Sequence, residues 1–327
     1  MKKLFAHIDF LLPGLVLMIL FARFFPFQES YNTFFPIAEV SYWGIVLIFV
    51  LYGFKLSPKE MLRDLSNWKL HLLTQSTTFL IIPLFVLFLY PFFKASTLYP
   101  FWIALLFLAV LPSTVSMSVI FVDKNKGNLG GAIFNSSISG FLGMVITPLW
   151  MSYFIEDTVG SSANSALIFK LLQQVFIPIT LGMLVRHFAV NFAVWFVAKL
   201  KNIDKFIILL IVYNSFSNAF NKDIFSLIPF SQLMMLIAGV IALYLVVFES
   251  LVFLSQLVKF KKADTLVLLF CGSQKSLVHG SVFTLLIFPE LKMQTLALLP
   301  LMIYHAFQLL FASYKTIIWQ DKMESIV

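Results

Sequence analysis

The chain reads as an all-α polytopic membrane protein. Ten transmembrane helices are expected, in an inverted five-plus-five repeat with one interrupted helix in each half. Three observations carry this reading. Of 327 residues, 60% are hydrophobic and 12% charged, where a soluble domain has ~45–50% apolar and ~25% charged residues. One core cannot hide that excess, so a lipid bilayer must solvate it. Apolar runs of spanning length recur along the whole chain and leave no stretch long enough for a soluble domain. Two runs, one per half, carry a polar break: Pro112-Ser113-Thr114-Val115-Ser116-Met117-Ser118 and Cys271-Gly272-Ser273-Gln274-Lys275-Ser276. Polar groups at bilayer depth are costly unless they line a cavity or bind something. A matched pair of interrupted spans points to a binding site where they meet.

A spanning helix needs about 20 apolar residues. Such runs lie at roughly 8–25, 36–54, 69–92, 99–122, 128–153, 167–188, 204–220, 228–257, 265–288 and 293–316. Lys2 and Lys3 before the first run mimic a signal peptide, but no small-residue cleavage site follows and Arg23 closes the run. A retained first helix is expected. Short connections carry breakers, among them Phe25-Pro26, Ser57-Pro58, Tyr99-Pro100, Gly127-Asn128, Gly160-Ser161 and Pro289-Glu290. With the N-terminus inside, 17 Lys and Arg fall in inner loops and five (Arg23, Lys94, Lys170, Lys222, Lys292) in outer ones, with Lys275 in the membrane. The positive-inside rule then sets both termini in the cytoplasm. The net charge of +8 is scattered over short loops, which excludes a nucleic-acid surface. The single cysteine, Cys271, forms no intrachain disulfide.

The halves echo each other. Pro13, Met18 and Arg23 match Pro178, Met183 and Arg186; Tyr52 in the second span matches Tyr213 in the seventh. Pro13 precedes Pro112 by 99 residues, and Pro178 precedes Gly272 by 94. Five spans per half is odd, so the second half must run inverted. The expected repeats are 1–155 and 167–327, joined by a linker at 156–166.

Ser113, Thr114, Ser116 and Ser118 crowd four hydroxyls into six residues after Pro112. Each alone reads as a hydroxyl bonding back along its helix. Together after a proline they read as a lined break, because Pro112 removes a donor. Lys275 is too deep to snorkel easily, so it must be paired, deprotonated or facing water. Glu249, an acid within an apolar run, is one possible partner; a substrate is the other. Asn214, Ser215, Ser217 and Asn218 read either as a polar lining of the seventh span or as its frayed end. Asn135 and Ser136 give the fifth span a polar side. His305 reads as a hydrogen-bonded interior residue and Cys271 as a packed thiol. No catalytic motif is present, so no enzyme is expected.

The segments Pro112–Val119, Gly127-Asn128 and Phe270–Leu277 together resemble the bile acid:sodium symporter family, in the bacterial branch related to solute carrier family 10 member 7. The resemblance covers essentially the whole chain. It implies ten helices in core and panel domains, with the fourth and ninth unwound where they cross, and a bacterial inner-membrane location. Sodium-coupled members hold two ions near that crossover. By the resemblance, Gln75, Ser118, Asn135, Ser136 and Gln274 fall in or beside the ion-coupling positions. Phe270 stands where a glutamate is usual, and Ala132 replaces a hydroxyl. Losing the carboxylate removes the full negative charge that balances a cation in low dielectric, and Lys275 adds a positive one. Sodium coupling is thereby weakened, and Na⁺ or H⁺ remains as the coupling ion, with Lys275 and Glu249 as coupling candidates.

The expected function is alternating-access transport of a small or amphipathic organic anion. Ser113, Thr114, Ser116, Ser273, Lys275, Ser276 and Asn214 are the substrate-site candidates. No cofactor and no nucleic-acid partner are expected, and the sequence sets no oligomeric state. A cation/proton antiporter of the same fold and a non-transporting regulatory protein are the alternatives.

Overall fold

The computed structural model describes residues 11–27, 36–55, 67–159, 172–200 and 202–324. Lys2, Lys3, Lys59, Arg63, Lys170, Lys201 and the linker from residue 160 onward lie outside them. All regular structure among the described residues is helical. The helices are α1 (Leu11–Phe24), α2 (Ile37–Lys55), α3 (Trp68–Phe88), α4 (Tyr99–Val110), α5 (Ser116–Lys124) and α6 (Leu129–Val159). They continue as α7 (Ile177–Phe188), α8 (Val190–Lys199), α9 (Ile203–Asn221), α10 (Phe230–Leu257), α11 (Lys262–Ser273), α12 (Leu277–Ile287) and α13 (Leu291–Glu324).

Among the described residues, six helical stretches are long and apolar enough to cross a membrane. One, Lys262–Ile287, joins α11 to α12 across a break, and 94% of its most apolar window is buried in protein. Broken backbone survives at membrane depth only in such a place. The fourth expected span is likewise two helices, α4 and α5. One element differs from the sequence reading. The expected connection after the sixth span is helical, as α8, with Val194 and Trp195 exposed. Its 10 residues are too few for a crossing.

Packing follows a pattern. α2 lies on α7, and α1 on α9; α4 lies on α13, and α11 on α6; α5 meets α6, and α12 meets α13; α3 meets α4, and α10 meets α11. Exchanging the first half of the chain for the second turns each pair into its companion. Two glycines set the closest approach. A Cβ on Gly53 of α2 would strike the backbone of Ile179, Gly182 and Met183, and one on Gly182 would strike Val50 and Gly53. α2 and α7 therefore touch backbone to backbone, which only glycine permits.

α3 is not a plain helix. A π turn at Thr77–Ile81 precedes Pro83. In the π register the carbonyl of Thr78 faces the nitrogen of Pro83, which carries no hydrogen. That carbonyl is free to accept from elsewhere.

Candidate functional site

The first break starts where Leu111 turns extended (φ −69°, ψ 148°) after α4. The second has Gln274 (φ −81°, ψ 144°) and Ser276 (φ −80°, ψ 112°) extended between α11 and α12. The two breaks touch: Ser276 N–H donates to Pro112 O at 2.8 Å. Backbone groups freed by unwinding must find partners when buried, and here they do. Thr147 Oγ1 donates to Val110 O at 2.7 Å, and Ser113 N–H donates to Ser139 Oγ at 2.9 Å. Gln308 on α13 accepts from Lys275 N–H at 2.8 Å and donates to Lys275 O at 3.0 Å, as a neighbouring strand would. Tyr304 donates to Ser273 O at 2.6 Å.

Lys275 completes the set. Its ammonium donates to Ala109 O (2.5 Å), Leu111 O (2.9 Å) and Thr78 O (2.9 Å). Two of these carbonyls end α4, where the helix dipole is negative; the third is the one Pro83 leaves free. Three acceptors match the three N–H donors of an ammonium. Lys275 is 1% exposed, and its side-chain partners are backbone carbonyls rather than Glu249, which is exposed on α10.

A polar cluster connects the breaks. Ser118 Oγ lies 3.0 Å from Gln274 Oε1 and 3.1 Å from Phe270 O, and Ser113 Oγ is 3.3 Å away. Thr114 Oγ1 is 3.5 Å from Gln274 Oε1. Gln75 Nε2 donates to Asn135 O (3.0 Å) and Oδ1 (3.1 Å), and Asn135 Nδ2 donates to His71 Nδ1 at 2.9 Å. Ser136 Oγ is 3.5 Å from Cys271 Sγ. The Phe270 ring stacks on Phe121, with centroids 5.5 Å apart.

Beside the breaks lies a cavity of about 190 Å³. Thr114–Met117 and Ser276–Val278, the entries to α5 and α12, form one side; Tyr52, Lys55, Asp204 and Lys205 form another. Ser276 caps α12, its hydroxyl accepting from His279 N–H at 3.3 Å. A wider cavity of about 660 Å³ shares Lys55, Ser116, Met117, Asp204 and Lys205 and adds Arg186. Lys55 and Asp204 pair at 3.7 Å where the two cavities join. Two helix N-termini, three basic side chains and one carboxylate thus line the two cavities, a net positive lining.

A family model described as the SBF-like CPA transporter family matches residues 9–320. The chain belongs to that family. It is similar to putative symporter YfeH of Escherichia coli (strain K12), 29% identical over 309 residues, covering 94% of this chain and 92% of the relative. It is similar to sodium/bile acid cotransporter 7 of Xenopus tropicalis, 30% identical over 288 residues (85% and 81%), and of Danio rerio, 28% over 308 residues (92% and 90%). As an SBF-like protein the chain is a membrane transporter, and its family kinship is the one its break motifs resemble.

The substrate candidates divide in this SBF-like framework. Thr114, Ser116 and Ser276 line the smaller cavity. Ser113 sits in the polar cluster, and Ser273 bonds back to Leu269 O at 2.6 Å. Asn214 Oδ1 accepts from Asn218 on α9. Of the coupling candidates, Gln75 and Asn135 pair with each other, while Ser118 and Gln274 sit between the breaks. Cys271 and His305 are buried, as read. Sequence reasoning missed Tyr304 and Gln308. The signal was present: Tyr304, His305 and Gln308 put polar groups on one face of an apolar run, at i, i+1 and i+4. Tyr52, Lys55 and Lys205 gave no such signal, because a basic residue at a helix end reads as a cytoplasmic anchor.

Proposed function

We propose that this chain is a secondary transporter of a small or amphipathic organic anion, working by alternating access with the substrate beside the two helix breaks. The cavity carries the reading: the N-termini of α5 and α12 open into it, and Lys55 and Lys205 line its wall. A preformed concave site with a few convergent polar groups is the usual form of a small-molecule site. The paired contacts support an inverted five-plus-five repeat. In this reading α1, α2, α7 and α9 form a panel, the other spans form a core that moves against it, and both termini are cytoplasmic at the plasma membrane. The relatives named as bile acid cotransporters support an amphipathic anion.

Sodium is left out of the mechanism because the residues do not fit it. Phe270 fills the position of the carboxylate with a stacked ring, and the charged group among the breaks is the Lys275 ammonium. A sodium ion about 4 Å from an ammonium is repelled by ~4 kcal/mol at an effective dielectric of 20. Among the ion-coupling candidates, Gln75 Oε1 is the one oxygen buried without a partner, which falls short of the several a cation needs. Antiport of a cation against protons would call for an acid on α6 beside the breaks; Asn135 and Ser136 stand there instead, and the acids of α6, Glu156 and Asp157, lie at its far end.

The test is thermal stabilisation of the purified protein by taurocholate and smaller organic anions, in Na⁺ buffer and in N-methylglucamine buffer, followed by uptake into proteoliposomes. A ligand of the native state raises Tm by mass action. Stabilisation of equal size in both buffers, with net uptake, is expected. Steep Na⁺ dependence overturns the sodium-free mechanism. Binding without uptake favours a regulatory role.

A further inference from the structure

His279, one turn into α12, faces three elements at once. The imidazole is 1% exposed. Its Nδ1 lies 2.9 Å from Ser276 Oγ and 3.5 Å from Tyr52 Oη, and the Tyr52 and His279 rings meet at 4.6 Å, edge to face. Its Nε2 is buried without a partner. Towards α6 it faces Gly140, where a Cβ would lie 3.5 Å from Cε1 and 3.6 Å from Nε2. Ser276 and Tyr52 both line the smaller cavity. The imidazole is thus one hydroxyl away from that cavity by either route.

The charged and titratable groups around it are few. α2 presents Tyr52 and Lys55, the start of α9 presents Asp204 and Lys205, and α13 presents His305 across the cavity. α6 presents Gly140 and Ser137, and the first break presents Thr114 and Ser116. Asp204 is held by Lys55 at 3.7 Å. No carboxylate is among the hydrogen-bond partners of the imidazole, so an imidazolium there would have no counter-ion of its own. An anion in the cavity would supply one.

We propose that His279 is the proton-binding residue of this transporter, taking up H⁺ from the cavity through Ser276 and Tyr52 when an organic anion binds. The proposal rests on the anion reading above. The proton enters at Nδ1, which then donates to Ser276 Oγ, while Nε2 keeps its own hydrogen. The charge is compensated only while the anion is present, so each ligand raises the affinity for the other by the same factor. Tyr52 stands on α2 and His279 on α12, so the group that gains charge bridges the panel and the core.

Two strong-acid anions serve as probes because they carry no proton themselves: taurocholate and inorganic sulfate. Their affinities are measured by thermal stabilisation of the full-length protein at pH 5.5 and pH 8.0. Binding to wild type is expected to be at least roughly tenfold tighter at the lower pH, as an opposite charge a few ångströms away favours the charged imidazole. His279→Gln is expected to bind with the same weak affinity at both. Tyr52→Phe is expected to keep the pH dependence with a displaced midpoint, and it tests the proposal if His279→Gln does not fold. Binding that is pH-independent in wild type, or equally pH-dependent in His279→Gln, overturns the proton site and leaves the anion reading intact. If neither anion binds at either pH, the anion reading fails and the proton site fails with it.

Discussion

The two breaks touch one another but are held by different chemistry. The second is closed by neutral groups: Gln308 pairs with both backbone groups of Lys275, and Tyr304 takes Ser273 O. The first is closed at its α4 end by an ammonium that belongs to the second. The dependence is unequal. The second break draws side-chain supports from α13 and takes only Pro112 O from the first, whereas the first has Thr147 and Ser139 of α6 and also takes the Lys275 side chain of the second. A proline opens the first break and no proline opens the second, which fits this difference. Where α4 ends in extended backbone, Ala109 O and Leu111 O are left as surplus acceptors, and a lysine meets a surplus of acceptors better than an amide, which brings an acceptor of its own.

The comparison can be broken most forcefully at Lys275. Lys275→Met keeps the stem and removes the three N–H donors. Three buried carbonyls lose their partner, and a loss of about 3–5 kcal/mol is expected. Reversible denaturation in mixed micelles measures it. A loss no larger than that of the Gln308 variant would show that the first break stands without the lysine.

Gln308→Ala should cost roughly 2 kcal/mol by orphaning Lys275 N–H and C=O. Gln308→Leu fills the same space without polar groups, so a loss of similar size is expected if the orphaned backbone groups set the cost. A much smaller loss for leucine would assign the alanine effect to the cavity it leaves. The smallest effects belong to the outer supports of the first break. Thr147→Val and Ser139→Ala should each cost about 1 kcal/mol. They act on neighbouring groups of one break, so the double variant should depart from additivity.

Much of this was legible in the residues. Pro112 and the hydroxyls after it marked the first break, and Gln274 with Lys275 marked the second, while Gly272, read as part of that break, stands inside α11. The burial of Lys275 followed from its depth in an apolar run. Its partners did not. They are carbonyls, which every residue carries, and a carbonyl gives no sign in a sequence of being unpaired. Pro83 was the readable half of that contact, since a proline within a helix always leaves an acceptor free. The π turn that aims Thr78 O at the lysine depends on tertiary packing. The wall of the cavity was illegible for another reason: Lys55 and Lys205 lie some 150 residues apart in sequence. Only the packing of α2 and α9 brings them to one space.

The glycine contact between α2 and α7 has a mechanical consequence. Gly14 on α1 and Gly44 on α2 receive the side chains of Leu209 and Ile207 of α9 instead. These four helices are thus seated on one another at glycines, α2 and α7 backbone to backbone and α9 through two side chains. Sliding of α2 along α7 would drive backbone into backbone. The proposed alternating access needs its shear elsewhere, along the wall facing α12, where Tyr52 and His279 meet by one long hydrogen bond and a ring edge rather than through glycines.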